Sequence, residues 1–313
     1  MSSRTDGIPI AGLHESEARV WDHWGIEPEE RIVEVGPTSS RLRIQEVGSG
    51  EPVLFVHGTG GYGPYWAPLL AELSGYRCLL VDRPGWGGSD PADFPESGFR
   101  DFAADLLRAA LDALDVDKVH SVGASIGGTW ALALATNYPE KVHSVSLLGG
   151  GPLTDAVKIP GVIRLLRSPL GALMSRGRFR EKMETSQARR SGHGPTLDDG
   201  RMPQGYVDWK VEMTNNTDWR KNERQMVRAV AGRRDWKPGL TFDADDLSSV
   251  SVPLLMVYGT GDPVGTVETW QEFVARIPNG RLDVMDGAGH LPWFDNPGHV
   301  AEVLRGHFQS ATN

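Results

Sequence analysis

The chain has 313 residues, 39% apolar and 23% charged, the balance of a soluble globular protein long enough to bury a substantial core. Its net charge of −9 argues against nucleic acid as a partner, and no apolar run approaches the roughly 20 residues of a membrane span. A single cysteine, Cys78 in an apolar run, excludes a disulfide framework; no His/Cys spacing suits a metal, and the polar start Met1–Asp6 lacks a signal-peptide core, so a cytoplasmic protein without metal is expected.

Residues 1–29 read as an N-terminal helical extension. Leu13, Ala18, Val20, Trp21 and Trp24 fall among Glu15, Glu17, Arg19 and Asp22, which predicts a short amphipathic helix over 11–25 packed on the body. Arg31–Val35 and Arg41–Val47 alternate polar and apolar residues around Gly-Pro-Thr-Ser-Ser, the pattern of an antiparallel hairpin with one solvated face. From Pro52 the character changes. Val53–Val56, Cys78–Val81, Val119–Val122 and Val145–Leu148 are apolar throughout, as parallel strands covered on both faces are. Helical runs near 64–73, 99–114 and 126–138 separate them; in the second, Phe102, Leu106, Leu107, Ala110, Leu111 and Leu114 recur at three- and four-residue spacing. The rhythm resumes with a strand at Val252–Tyr258, a helix near 265–277, a strand at Arg281–Val284 and a closing helix near 298–309. Alternating strand and helix predicts an α/β fold: a mostly parallel sheet with helices on both faces, built from 30–150 and 251–313.

Residues 151–250 differ. They hold Gly/Pro punctuation, few β-branched runs and 18 Lys and Arg against 13 Asp and Glu, a net of +5 in a chain of net −9. A hundred residues without sheet character, placed directly after a strand, predict a mainly helical cap over the carboxyl edge.

The chemistry centres on Gly123-Ala-Ser125-Ile-Gly127, where a β-rich run meets a helix-forming one. A serine at a sharp strand-to-helix turn exposes its hydroxyl at the carboxyl edge, and the close passage of strand and helix requires small residues two before and two after it. The helix beginning there adds a positive dipole end and free N–H groups. Three other stretches stand at predicted strand ends: His57-Gly58-Thr59-Gly60-Gly61, Asp82-Arg83-Pro84-Gly85-Trp86-Gly87-Gly88-Ser89, and the pair Gly259-Thr260-Gly261-Asp262-Pro263 with Gly287-Ala288-Gly289-His290-Leu291-Pro292. In this order the stretches resemble the cap-bearing α/β-hydrolases from about residue 30 onward.

That resemblance implies a serine hydrolase. Ser125 is the expected nucleophile and needs a base; of nine histidines, His290 fits best, in a Gly/Pro loop after the last predicted strand. His57 is the rival, and in this family the histidine of that turn supports the loop. Asp262 is the expected acid, giving the order Ser, Asp, His that these folds use. The other place where relatives carry the acid reads Leu148-Gly149-Gly150-Gly151, with no carboxylate until Asp155, and the Asp82 turn is structural in the family. Backbone N–H groups of Thr59 and Ile126 are the expected oxyanion donors. Gly58, Gly60, Trp130, Trp209, Met213, Trp219 and Leu291 are candidates for the substrate pocket, with Met174, Met183, Met226 and Trp236 among the cap's other large adaptable side chains, and Trp66 and Trp293 close to the catalytic motifs.

No cofactor is expected. The expected partner is a small, moderately apolar ester or lactone, with homo-oligomerisation left open. Two alternatives stand: a hydrolase of carbon–carbon bonds in ring-cleavage products, against which Leu291 weighs because those relatives often carry an aromatic directly after the histidine, and a ligand receptor built on the hydrolase fold.

Overall fold

The computed structural model describes residues 13–36, 40–151, 153–174 and 177–312; residues 1–12 and 37–39 and the side chains of Leu13 and Met174 lie outside the described residues. Helix α1 (Leu13–Trp24) precedes β1 (Glu29–Val35) and β2 (Ser40–Val47), an antiparallel hairpin that sets Val33 opposite Leu42. There follow β3 (Glu51–Val56), a 3-10 turn (Gly63–Trp66), α2 (Ala67–Glu72), β4 (Tyr76–Val81), α3 (Phe99–Ala113), β5 (Val119–Ala124), α4 (Ile126–Asn137) and β6 (Val142–Leu148). Helices α5 (Gly161–Arg167), α6 (Pro169–Met174), α7 (Glu181–Ala188), α8 (Gly194–Asp198), α9 (Gln204–Asn216), α10 (Trp219–Val230) and α11 (Ala244–Ser248) fill the insertion. The chain closes with β7 (Leu254–Gly259), α12 (Val267–Val274), β8 (Gly280–Met285), α13 (Pro292–Asp295) and α14 (Pro297–Thr312).

The eight strands lie in the order β1-β2-β4-β3-β5-β6-β7-β8; β2 runs antiparallel to both its neighbours, β1 and β4, and all the other pairs are parallel. The unbroken apolar runs serve two faces at once. Leu54, Val56, Leu79, Val81, Leu254 and Met256 enter the layer under α3, α4 and α12, while their neighbours Val53, Phe55, Cys78, Leu80, Leu255 and Val257 enter the layer under α2 and α14. Helix α4 is buried from Ile126 to Ala135 because β5, β6 and α3 surround it. It therefore shows no polar stripe.

The topology selects the place of the chemistry. Strand β3 has β4 on one side and β5 on the other, so the chain reverses its direction of sheet growth there, and the loops leaving β3 and β5 diverge. In open parallel sheets such a divergence at the carboxyl ends leaves a crevice. His57 and Ser125 are the first residues beyond β3 and β5.

Helix α1 does more than pack. Its Glu17 accepts from Arg43 Nη1 at 3.0 Å and Nη2 at 2.6 Å and from the Tyr62 hydroxyl at 2.9 Å, and its Arg19 meets Glu212 of α9 at 2.9 Å. Arg43 is only 3% exposed and also meets Glu30 and Asp82. Burial pushes the Asp82 carboxyl up to about 7 against the pull of Arg43, and Asp82 accepts from Gly88 N–H at 3.1 Å, which ties down the turn after β4. No helix among the described residues is long and apolar enough to cross a membrane.

Candidate active site

Ser125 stands between β5 and α4 at φ 53°, ψ −124°, one of two non-glycine residues with positive φ among those described. The backbone accepts this strain because its flanks leave no room for anything else: a Cβ on Gly123 would strike Gly127 and Gly128, and one on Gly127 would strike the carbonyl oxygens of Val56 and His57. Gly127→Ala is accordingly expected to cost about 3 kcal/mol, since neither carbonyl can yield without moving β3, and chemical denaturation of the variant measures it. A Cβ on Gly58 would lie 2.9 Å from Ser125 Cβ, so that glycine lets the turn after β3 pass directly over the serine.

Asp262 and His290 leave β7 and β8 at the same edge. The His290 Nδ1–H donates to both carboxylate oxygens of Asp262 at 2.9 Å. Asp262, 5% exposed, also accepts from Gly150 N–H at 2.7 Å and Val264 N–H at 2.8 Å. Burial alone lowers the affinity of His290 for a proton, but the charge and hydrogen bond of Asp262 outweigh it and raise its pKa above the ordinary value. The glycines after β6 bring the three residues to one place: Gly149 packs on His290 O, Gly150 bonds Asp262, and Gly151 packs on Ser125 O. Any side chain at 149 or 151 would push the histidine or the serine away.

The turn after β3 is held from three sides. His57 Nε2 accepts from Arg83 N–H at 3.0 Å, so its proton sits on Nδ1 and is donated to Gly58 O at 2.8 Å. Full burial and the nearby Arg83 hold His57 well below the usual histidine range, a neutral supporting ring. Gly58 O also accepts from Arg83 Nη2 at 3.1 Å. That carbonyl and the Thr59 N–H belong to one peptide unit, so a guanidinium on the oxygen polarises the N–H. Arg83 in turn lies 3.8 Å from Glu223 of α10, whose Oε1 accepts from the Thr59 hydroxyl at 2.6 Å. Burial raises the Glu223 carboxyl, opposed by Arg83 and Thr59. From α9, Lys210 Nζ donates to Gly60 O; burial lowers the lysine, opposed by Glu184. Ile126 is the first residue of α4, where the N–H has no helical partner.

The pocket candidates divide. Gly58 and Gly60 line the turn itself, Leu291 adjoins His290, and Trp219 stacks on Trp86 at 4.6 Å. Trp130 is fully buried in the core, edge-on to Phe99 and Phe102 where α4 meets α3. Trp209 and Met213 are likewise fully buried, Trp209 against Tyr62 and Tyr206, because α1 covers that side of α9. Trp66 and Trp293 stack on each other at 4.6 Å in the core, and Met183 is exposed. The sequence reading missed Lys210, Glu223, His193 and Asp295. For Lys210 and Glu223 the available signal was a charged residue within the mostly apolar buried faces of α9 and α10; His193 and Asp295 gave none. Among the described residues no group of three His, Cys, Asp or Glu side chains could hold a metal ion.

The family model of the alpha/beta hydrolase fold matches residues 51–297. A 2-hydroxy-6-oxononadienedioate/2-hydroxy-6-oxononatrienedioate hydrolase of Cupriavidus pinatubonensis is 28% identical over 267 residues, covering 82% of this chain and 87% of its own. A protein of the same name from Klebsiella pneumoniae is 39% identical over 278 residues with the same coverage. Among solved structures, the naproxen esterase of Bacillus subtilis superposes with a TM-score of 0.72 at 20% identity, covering 95% of this chain and 96% of that one, a likeness of fold. With the family match spanning both halves of the sheet and the helical insertion between them, the chain belongs to the alpha/beta hydrolases.

Proposed function

We propose that this hydrolase works through an acyl-enzyme on Ser125, and that its substrate is a linear, conjugated 2-hydroxy-6-oxo acid cleaved at a carbon–carbon bond. The observation that carries the chemistry is the Gly149–Gly151 turn, which packs on His290 and Ser125 and donates to Asp262. In this reading Ser125 Oγ adds to the 6-oxo carbon as its proton passes to His290 Nε2. The carbonyl electron pair moves onto oxygen, where the N–H groups of Thr59 and Ile126 hold it. Collapse breaks the C5–C6 bond from the 2-oxo tautomer of the substrate, in which the 2-hydroxyl proton has been lost and a proton gained at C5. The bond's electron pair then delocalises onto the C2 oxygen as a conjugated dienolate, which takes the proton from His290. Water, deprotonated by His290, then releases the acid and restores Ser125. Asp262 keeps the imidazole proton on Nδ1 throughout. The insertion serves as the cap.

The support for the substrate class is that the two curated relatives name a 2-hydroxy-6-oxo acid of this kind as what they hydrolyse. The second reading, a carboxylic ester or lactone, is favoured by Leu291 following His290.

Turnover of a 2-hydroxy-6-oxodienoate, followed by loss of its visible absorbance, is to be compared with a panel of esters and lactones. The expected result is a kcat/KM for the dienoate at least about 100-fold above any ester, a margin that site polarity readily produces. An ester or lactone turned over faster reverses the order of the two readings, and no turnover of any of them overturns the enzyme.

A further inference from the structure

Three consecutive N–H groups flank and include His290, and each is held from outside the sheet. Gly289 N–H donates to Asp295 Oδ2 at 2.7 Å, His290 N–H to Ser191 O at 2.8 Å, and Leu291 N–H to His193 Nε2 at 3.1 Å. Ser191 and His193 belong to the π-helical turn Arg189–His193 of the insertion, which kinks at Gly192 with φ 90°. Because His193 Nε2 accepts, its proton sits on Nδ1, from which it is donated to the Asp295 carboxylate at 2.9 and 3.1 Å. The Thr196 hydroxyl also donates to that carboxylate. The backbones touch without side chains between them: a Cβ on Gly192 would lie 2.7 Å from Gly289 Cα, and one on Gly289 2.7 Å from His193 Cε1. The preceding residues are anchored differently, Gly287 N–H to Thr260 Oγ1 at 2.8 Å and Ala288 O from Gly261 N–H at 2.8 Å. The sheet side thus holds the loop as far as Ala288; beyond it Asp295 of α13 holds Gly289, and the insertion holds His290 and Leu291.

We propose that His193 and Asp295 are positioning residues for His290, a second histidine–carboxylate pair that fixes the backbone of the catalytic base from the cap side. This rests on the reading of His290 as that base. His193 is 1% exposed and touches no reacting atom; it acts through the Leu291 amide and through Asp295. Burial works against the charge on Asp295, but the bonds from His193, Thr196 and Gly289 hold its carboxyl below the usual range, so the pair keeps its acceptor. With the clamp released, the imidazole no longer meets both Asp262 and Ser125 in one geometry. Misplacement of a catalytic group by about 1 Å costs on the order of 10²-fold in rate.

The test reads His290 directly. In full-length protein with isotope-labelled histidine rings, NMR titration follows His290 and the low-field Nδ1–H signal of its bond to Asp262. In parallel, the rate of Ser125 labelling by a fluorophosphonate reads the base without reference to any substrate. For His193→Ala the expected results are a His290 titration moved down towards that of a free imidazole, a broadened Nδ1–H signal, and labelling slowed about 30-fold. His193→Gln, which keeps an acceptor for the Leu291 amide, restores most of each. Asp295→Asn reproduces the alanine phenotype and carries the test if His193→Ala does not fold. Unchanged titration and labelling in folded His193→Ala, or equal losses in the alanine and glutamine variants, overturn the proposal. If the unaltered protein resists the phosphonate while the His290 titration still responds at position 193, the catalytic reading fails and the positioning role stands.

Discussion

Ser125→Ala is expected to lower kcat by 10³-fold or more, with KM changed little, because the hydroxyl takes part in bond making and contributes little to ground-state binding. The remaining rate comes from the oxyanion donors and the bound geometry, which the substitution leaves in place. Its effect on stability separates this result from misfolding. The φ of 53° and ψ of −124° at Ser125 strain alanine as much as serine, so the alanine variant should unfold at nearly the same denaturant concentration. Ser125→Gly, equally inactive, should be more stable by about 1 kcal/mol, since glycine relieves the positive φ. Activity lost while stability rises would identify strain kept for catalysis. An alanine variant that still turns over substrate would end the acyl-enzyme proposal.

Asp262→Asn comes next in size, at about 10⁴-fold in kcat. The carboxylate takes three N–H donors: His290 Nδ1, Gly150 N and Val264 N. An amide offers one acceptor oxygen and turns its own N–H groups towards a remaining donor, so the imidazole is driven to the other tautomer, with Nε2 protonated and no longer able to accept from Ser125. The pH dependence provides the sign. His290 binds its proton above the ordinary value because of Asp262, and a protonated His290 cannot act as base. In the unaltered enzyme kcat/KM therefore falls as pH drops through that raised pKa, and in the variant the limb moves to lower pH. Stability follows the same linkage. A histidine raised in the folded state contributes stability fully present below its unfolded value of 6.5 and lost as pH rises through the folded one. The stability gap between enzyme and variant should accordingly be wider at acid than at alkaline pH, as denaturation at the two extremes will show. A gap that widens with pH would contradict the assignment.

Most of the sheet is written locally. Each buried strand is a short apolar run bounded by turn residues, and β3 through β8 cover the runs read from the sequence with ends displaced by a few residues. The loops at their carboxyl ends could be located as well, because glycine clusters mark places where backbone meets backbone; the atoms that a Cβ would strike at 123, 127, 149 and 151 are the reason. Trp130 and Trp209 could not be placed this way. An aromatic side chain at helical spacing fits a pocket or a core equally well, and whether another helix covers it decides which.

What the sequence by itself determined is the order of elements, the parallel sheet, and the presence of Ser125, Asp262 and His290 in loops leaving one edge. Those follow from alternation, apolar runs and glycine, all of which act between near neighbours in the chain. Only the tertiary structure decided how the insertion grips that edge. The Leu291 amide meets His193 across 98 residues, Gly60 meets Lys210 across 150, and Thr59 meets Glu223 across 164. Each is a polar residue whose own neighbourhood is ordinary. Its buried charge or hydrogen bond has a favourable energy only when a distant backbone group arrives to complete it.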